Sequence, residues 1–165
     1  MEITILIFLF GGLFLGWSLG ANDAANVFGT AVGTRMVSFT SAAIICSVFV
    51  ILGAIISGAG TTETLGKLGA INALPGAFAA CVAAGISVYL MTKVGLPVST
   101  TQAIVGAIVG WNLYTGSSTN LQVLITILGT WILCPIIAGV IAMGLFTFTK
   151  RVILNRKLHI LRLDA

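Results

Sequence analysis

Between Lys93 and Lys150 lie 56 residues without a charged side chain, and residues 3–22, 36–62 and 68–92 form further charge-free intervals of 20, 27 and 25 residues. A helix needs about 20 mostly apolar residues to cross about 30 Å of hydrocarbon. Charged residues make up 7% of the chain, against roughly 25% in an ordinary soluble domain. A soluble globular fold is thereby excluded, and the expected class is an all-α, polytopic membrane protein. The longest interval would measure about 84 Å as one helix, too long for a single crossing, and Gly116, Ser117 and Ser118 divide it. The pattern predicts helices at about 3–19, 37–58, 74–92, 99–112 and 121–148, with Pro135 a candidate bend in the last.

The fourth of these segments is too short to span. It follows the third after Gly95-Leu96-Pro97, a set of breakers that supports a tight reversal. The preferred reading therefore joins residues 74–112 into a re-entrant helical hairpin with its tip at membrane depth, where irregular backbone is tolerated only against protein or a wet cavity. The competing reading lets 74–92 span fully and lays 99–112 along the interface. With the hairpin, three crossings remain and the chain ends lie on opposite sides.

Residues 150–165 hold six of the 12 charges and the whole net charge of +4. A basic flank of this kind marks the cytoplasmic side and is attracted to anionic lipid. We therefore expect a transmembrane part over 1–149, a cytoplasmic tail or inter-repeat linker over 150–165, and the N-terminus outside. Arg35 then falls inside and Lys67 is a lone exception. The other 149 residues sum to zero, which excludes the basic stripe that a nucleic-acid binder needs. Glu2 stands where a signal peptide would carry basic residues. Cys46, Cys81 and Cys134 lie in apolar runs without metal-ligand spacing and read as small core residues. Gly12, Gly16 and Gly20 leave a flat stripe suited to close helix packing.

Two stretches carry chemistry. In Gly20-Ala21-Asn22-Asp23-Ala24-Ala25-Asn26-Val27-Phe28-Gly29-Thr30-Ala31-Val32-Gly33-Thr34 a carboxylate ends an apolar run. On a helix Asn22, Asn26 and Thr30 fall at i, i+4 and i+8, with Asp23 beside Asn26. An ionised Asp at membrane depth costs at least about 2.5 kcal/mol and normally faces a cavity or a cation. Carboxylate, amide and hydroxyl oxygens suit a hard cation such as Na+. The alternative is that Asp23 caps a second helix in an interfacial turn. The other stretch is Pro97-Val98-Ser99-Thr100-Thr101-Gln102, which reads as a helix N-terminus where free N–H groups and hydroxyls can hold an oxyanion. An ordinary capped helix start is the competing reading. Glu63 and Lys67 are spaced as a helix-surface pair, which stands against an ion-path role for Glu63.

Gly20 to Thr34 resembles the signature of the inorganic phosphate transporter family, of the form GANDxANxFGTxVG, and Pro97 to Thr101 resembles its PVSTT hairpin motif. Thr61-Thr62-Glu63-Thr64-Leu65 resembles a third, weaker family feature. The resemblance implies a sodium- or proton-coupled carrier of inorganic phosphate built from two inverted repeats. This chain holds one copy of each motif and so corresponds to the N-terminal repeat, one inverted-repeat half. Carried over onto this sequence, the motifs imply a phosphate set of Asp23, Ser99, Thr100 and Thr101 and a sodium set of Asn22, Asp23, Asn26 and Gln102. Thr30 and Glu63 are candidates along an ion path. Gln102 departs from the His often found after the hairpin motif, which bears against a proton-coupling role at that position. The expected partners are phosphate, the coupling ions, and a second half, either a C-terminal piece or an antiparallel copy, in a homo-oligomer of the complete carrier. Sodium ions serve as coupling ions, and no other cofactor is expected.

The alternatives are a carrier of another oxyanion such as sulfate, or a noncatalytic membrane assembly subunit. An enzyme is not expected, because the only His is His159 in the tail and no nucleophile, base and orienting set accompanies it.

Overall fold

The structure, a computed structural model, describes residues 2–69 and 74–154. Over these residues the chain forms α1 (Glu2–Gly33), α2 (Phe39–Leu68), α3 (Leu74–Lys93), α4 (Thr100–Thr115) and α5 (Leu121–Thr149), the last continued by a π-helical turn, Lys150–Leu154. In hydrocarbon the backbone must satisfy its own polar groups, which a helix does within one segment. By length and composition α1, α2, α3 and α5 could each cross a membrane. The protein is thus an all-α polytopic membrane protein. Its described residues hold four candidate spans, and α3 and α4 occupy the stretch expected as the helical hairpin over 74–112.

Two helices outrun their expected ends. α1 continues past residue 19 through the whole Asn/Asp stretch to Gly33, so Asp23 does not cap a new helix in a turn. Ala21, Ala24, Ala25 and Ala31 keep helix propensity high there. α2 continues past residue 58 and absorbs the Thr61–Leu65 segment. Its Thr62 and Thr64 hydroxyls donate back to the Gly58 and Gly60 carbonyls at 3.0 and 2.9 Å, so these side chains stay satisfied within their own helix. The basic segment expected as a tail begins as the π-helical turn, and its residues 155–165 lie outside the described residues.

The chain divides into two compact units, residues 1–123 and 124–165. In the first, α1 and α3 run parallel. Phe8 meets the Phe78 ring edge-on at 5.5 Å, Trp17 meets Tyr89 at 5.6 Å, and the Thr92 hydroxyl reaches Asn22 at 3.3 Å. The backbones approach closely enough that a Cβ at Gly11 or Gly85 would stand 2.8 or 2.7 Å from the rings of Phe78 and Phe14. Within this unit Gly11 and Gly85, and not Gly12, Gly16 and Gly20, are the glycines at a helix contact. The predicted stripe is exposed, with nothing within 4 Å of a Cβ built on it.

Three helix ends of this unit close with one hydrogen-bond pattern. After α1, Arg35 N–H donates to Val32 and Met36 N–H to Ala31; after α3, Gly95 donates to Thr92 and Leu96 to Met91; after α4, Gly116 donates to Leu113 and Ser117 to Asn112. This is the Schellman arrangement, which needs one left-handed residue. Gly95 (φ 77°) and Gly116 (φ 69°) supply it at no steric cost, whereas Arg35 supplies it at φ 60°. The end of α2 is fixed to the end of α4: Asn120 N–H donates to the buried Leu68 carbonyl at 3.0 Å, and a Cβ at Gly69 would overlap the Asn112 amide. The second unit consists of α5 from residue 124 and the π-helical turn. α5 continues as a helix through Pro135.

Candidate functional site

The site forms where the turn between α3 and α4 meets α1. After the turn at Gly95, residues 96–99 lead outside any helix into α4, and Ser99, itself extended, caps that helix by accepting from Gln102 N–H at 3.3 Å. The turn docks on Asn22, eleven residues before the end of α1, or ~16 Å along its axis.

Asn22 is the connector. Its amide nitrogen donates to the Val98 carbonyl at 2.6 Å and to Asp23 Oδ1 at 2.8 Å. Its amide oxygen accepts from the Thr92 hydroxyl at 3.3 Å and from Val98 N–H at 3.4 Å. With 3% of its surface exposed, Asn22 spends every polar atom on holding α1, the end of α3 and the turn together. Asp23, half-buried beside it, takes a second donor from the Thr100 hydroxyl at 3.1 Å on Oδ2. Two segments 77 residues apart therefore close on one carboxylate.

The expected site residues separate into three groups. Asn22, Asp23 and Thr100 are brought into direct contact. Ser99, Thr101 and Gln102 lie exposed at the adjoining N-terminal turn of α4, where the first N–H groups of a helix lack intrahelical partners. Asn26 and Thr30 lie exposed on α1 one and two turns beyond the contact. Glu63 joins no bond of this network: it pairs with Lys67 on the exposed surface of α2.

Two participants, Thr92 and the Val98 backbone, and one buried neighbour, Ser18, lie outside the expected set. Thr92 and the Val98 backbone complete the Asn22 network, and only the tertiary approach of the turn reveals them. Ser18, one turn before Asn22 on the same face, is 1% exposed, and its hydroxyl has no hydrogen-bond partner among the described residues. Two signals stood in the sequence, the i, i+4 spacing of Ser18 and Asn22 and the polarity of Thr92 in an apolar run, and neither names a partner.

The profile of the phosphate transporter family matches residues 19–163. A candidate phosphate permease of Pyrococcus furiosus is 37% identical over 94% of this chain and 39% of its own length. One from Haemophilus influenzae is 33% identical over 87% of this chain and 37% of its own length. A protein of Plasmodium falciparum named sodium-dependent phosphate transporter is 32% identical, over 87% of this chain and 23% of its own length. The chain spans about two-fifths of the length of the first of these relatives. No solved structure matches it.

Proposed function

This chain belongs to the phosphate transporter family, and we propose that it forms the N-terminal half of a sodium-coupled inorganic phosphate symporter. The observation that carries the reading is the contact of Asp23 with Thr100, which sets a carboxylate against the first turn of a helix. That turn offers free N–H groups and the hydroxyls of Ser99 and Thr101 to an oxyanion. Phosphate is bound there; Asp23 and the exposed amide of Asn26 hold the sodium ion. Thr100, whose hydroxyl is committed to Asp23, acts on phosphate through the carboxylate it positions. Asn22, with all its polar atoms used, holds the two elements together.

Coupling follows from electrostatics. Two unlike charges 4 Å apart attract by about 4 kcal/mol at an effective dielectric constant of 20, and two like charges repel by as much. Phosphate beside an uncompensated Asp23 is repelled, and a cation on Asp23 reverses the sign. Driving force has the same requirement: a potential of about 100 mV, inside negative, opposes each entering negative charge by about 2.3 kcal/mol, hence about 4.6 kcal/mol for the divalent ion. Two or more accompanying cations cancel that charge. The orientation we propose rests on three crossings, by α1, α2 and α5, with α3 and α4 as a re-entrant hairpin; it sets the basic C-terminal end in the cytoplasm and the N-terminus outside, in accord with the positive-inside rule.

The test is uptake of labelled phosphate into vesicles holding this chain with its second half. Asp23→Asn is expected to abolish the stimulation by a sodium gradient at normal protein yield, and excess sulfate is expected not to compete. Unchanged sodium dependence in the variant would overturn the role of Asp23, and full competition by sulfate would overturn the substrate.

A further inference from the structure

The C-terminal face of α5 has a shape and charge that the transport site does not use. Val140, Met143, Gly144, Thr147, Phe148 and Arg151, all on one exposed face of α5 and its π-helical turn, line a shallow open groove. Gly144 forms its floor, because a residue without a side chain between Met143 and Phe148 leaves a notch. Thr147 donates its hydroxyl to the Met143 carbonyl at 2.8 Å, so the groove wall makes no demand for a polar ligand. At one end the groove meets Arg151, next to Lys150, where the helix widens into the π-helical turn. Residues 121–154 contain no Asp or Glu, so α5 and its π-helical turn supply no carboxylate to the two cations.

The dimensions fit one leaflet. From Val140 to Arg151 is eleven residues, or ~17 Å along a helix, against about 15 Å for half of a 30 Å hydrocarbon core. With Arg151 at headgroup depth, its apolar stem can lie along the groove while the guanidinium reaches outward. We propose that this face binds one anionic phospholipid, its acyl chain in the notch over Gly144 and its phosphate on Lys150 and Arg151. A lipid uses both the apolar groove and the cations; a free inorganic anion uses only the cations.

The experiment is independent of transport. The purified chain in detergent is mixed with phosphatidylglycerol and phosphatidylcholine in equal amounts, and retained lipid is counted by native mass spectrometry. About one phosphatidylglycerol per chain is expected to be kept in preference to phosphatidylcholine, and each of Lys150→Gln and Arg151→Gln is expected to weaken retention about fivefold. Gly144→Leu, which keeps both cations and fills the notch, is expected to lose retention, and Phe148→Ala, which removes a wall, to weaken it. Helical content by circular dichroism verifies folding of each variant. Equal retention of the two lipids, retention indifferent to both groove variants, or displacement of the lipid by inorganic phosphate would overturn the proposal. So would a change of oligomeric mass in Gly144→Leu without loss of lipid, which would assign the face to a second copy.

Discussion

At the scale of single residues, the site is a set of commitments. Asn22 donates and accepts at every polar atom, and Thr100 is 8% exposed with its hydroxyl on Asp23. Thr100→Val keeps the shape and removes the donor, so a hydrogen bond to a charged group is lost, worth about 1.5–3 kcal/mol. Unfolding in detergent is expected to register that loss, and Thr100→Ser to restore most of it. Ser18 has the opposite expectation. Its buried hydroxyl lacks a partner among the described residues, and an unsatisfied buried group costs about 1–3 kcal/mol. Ser18→Ala is therefore expected to leave stability unchanged or raise it, measured in the same unfolding assay; a marked loss would show that the hydroxyl is bonded after all. The motifs named Asn22, Asp23 and Thr100 as site residues, but not which atoms meet. That depends on a turn 76 residues away docking on Asn22, which no local pattern encodes.

At the scale of elements, charge-free intervals placed the helices because lipid leaves the backbone few other choices. They placed α3 and α5 to within a residue but not the C-terminal ends of α1 and α2, since nothing in residues 20–33 or 59–68 stops a helix. Glycine phase was likewise hidden. A four-residue repeat announced Gly12, Gly16 and Gly20, yet Gly11 faces α3, because periodicity defines a stripe without saying what stands opposite it. Gly95 and Gly116 were legible as breakers, whereas the left-handed Arg35 was not. A side chain at that conformation costs about 1 kcal/mol relative to glycine. Arg35→Gly is therefore expected to stabilise the chain by about that amount, and Gly95→Ala, at φ 77°, to destabilise it by a similar or larger amount. Thermal unfolding of the two variants beside the unmodified chain tests both signs at once. Only Gly95→Ala should also weaken the Asn22 network, because its turn carries Val98.

At the scale of the whole molecule, the face of α1 that α3 leaves uncovered is the one to account for. At 100° per residue Gly12, Gly16, Asp23 and Thr30 fall within about 40° of one another, and all but the half-buried Asp23 are exposed. Asp23 thus stands at the border between a packed face, with Ser18 and Asn22, and an open one of small and polar residues. A transporter site of this kind is completed between two repeats, and we propose that the second half of the carrier lies along this open face, with the glycines admitting its backbone. Vesicles holding this chain alone are expected to show no sodium-stimulated phosphate uptake, and vesicles holding it with the second half to show it. Gly16→Leu, placed one turn and more from the Asp23 network, should prevent the two halves from copurifying while leaving the helical content and the unfolding midpoint of this chain close to normal. Full uptake by this chain as a monomer would overturn the proposal, as would undiminished copurification of Gly16→Leu, because then neither the missing repeat nor the smooth face of α1 would be needed to complete the site.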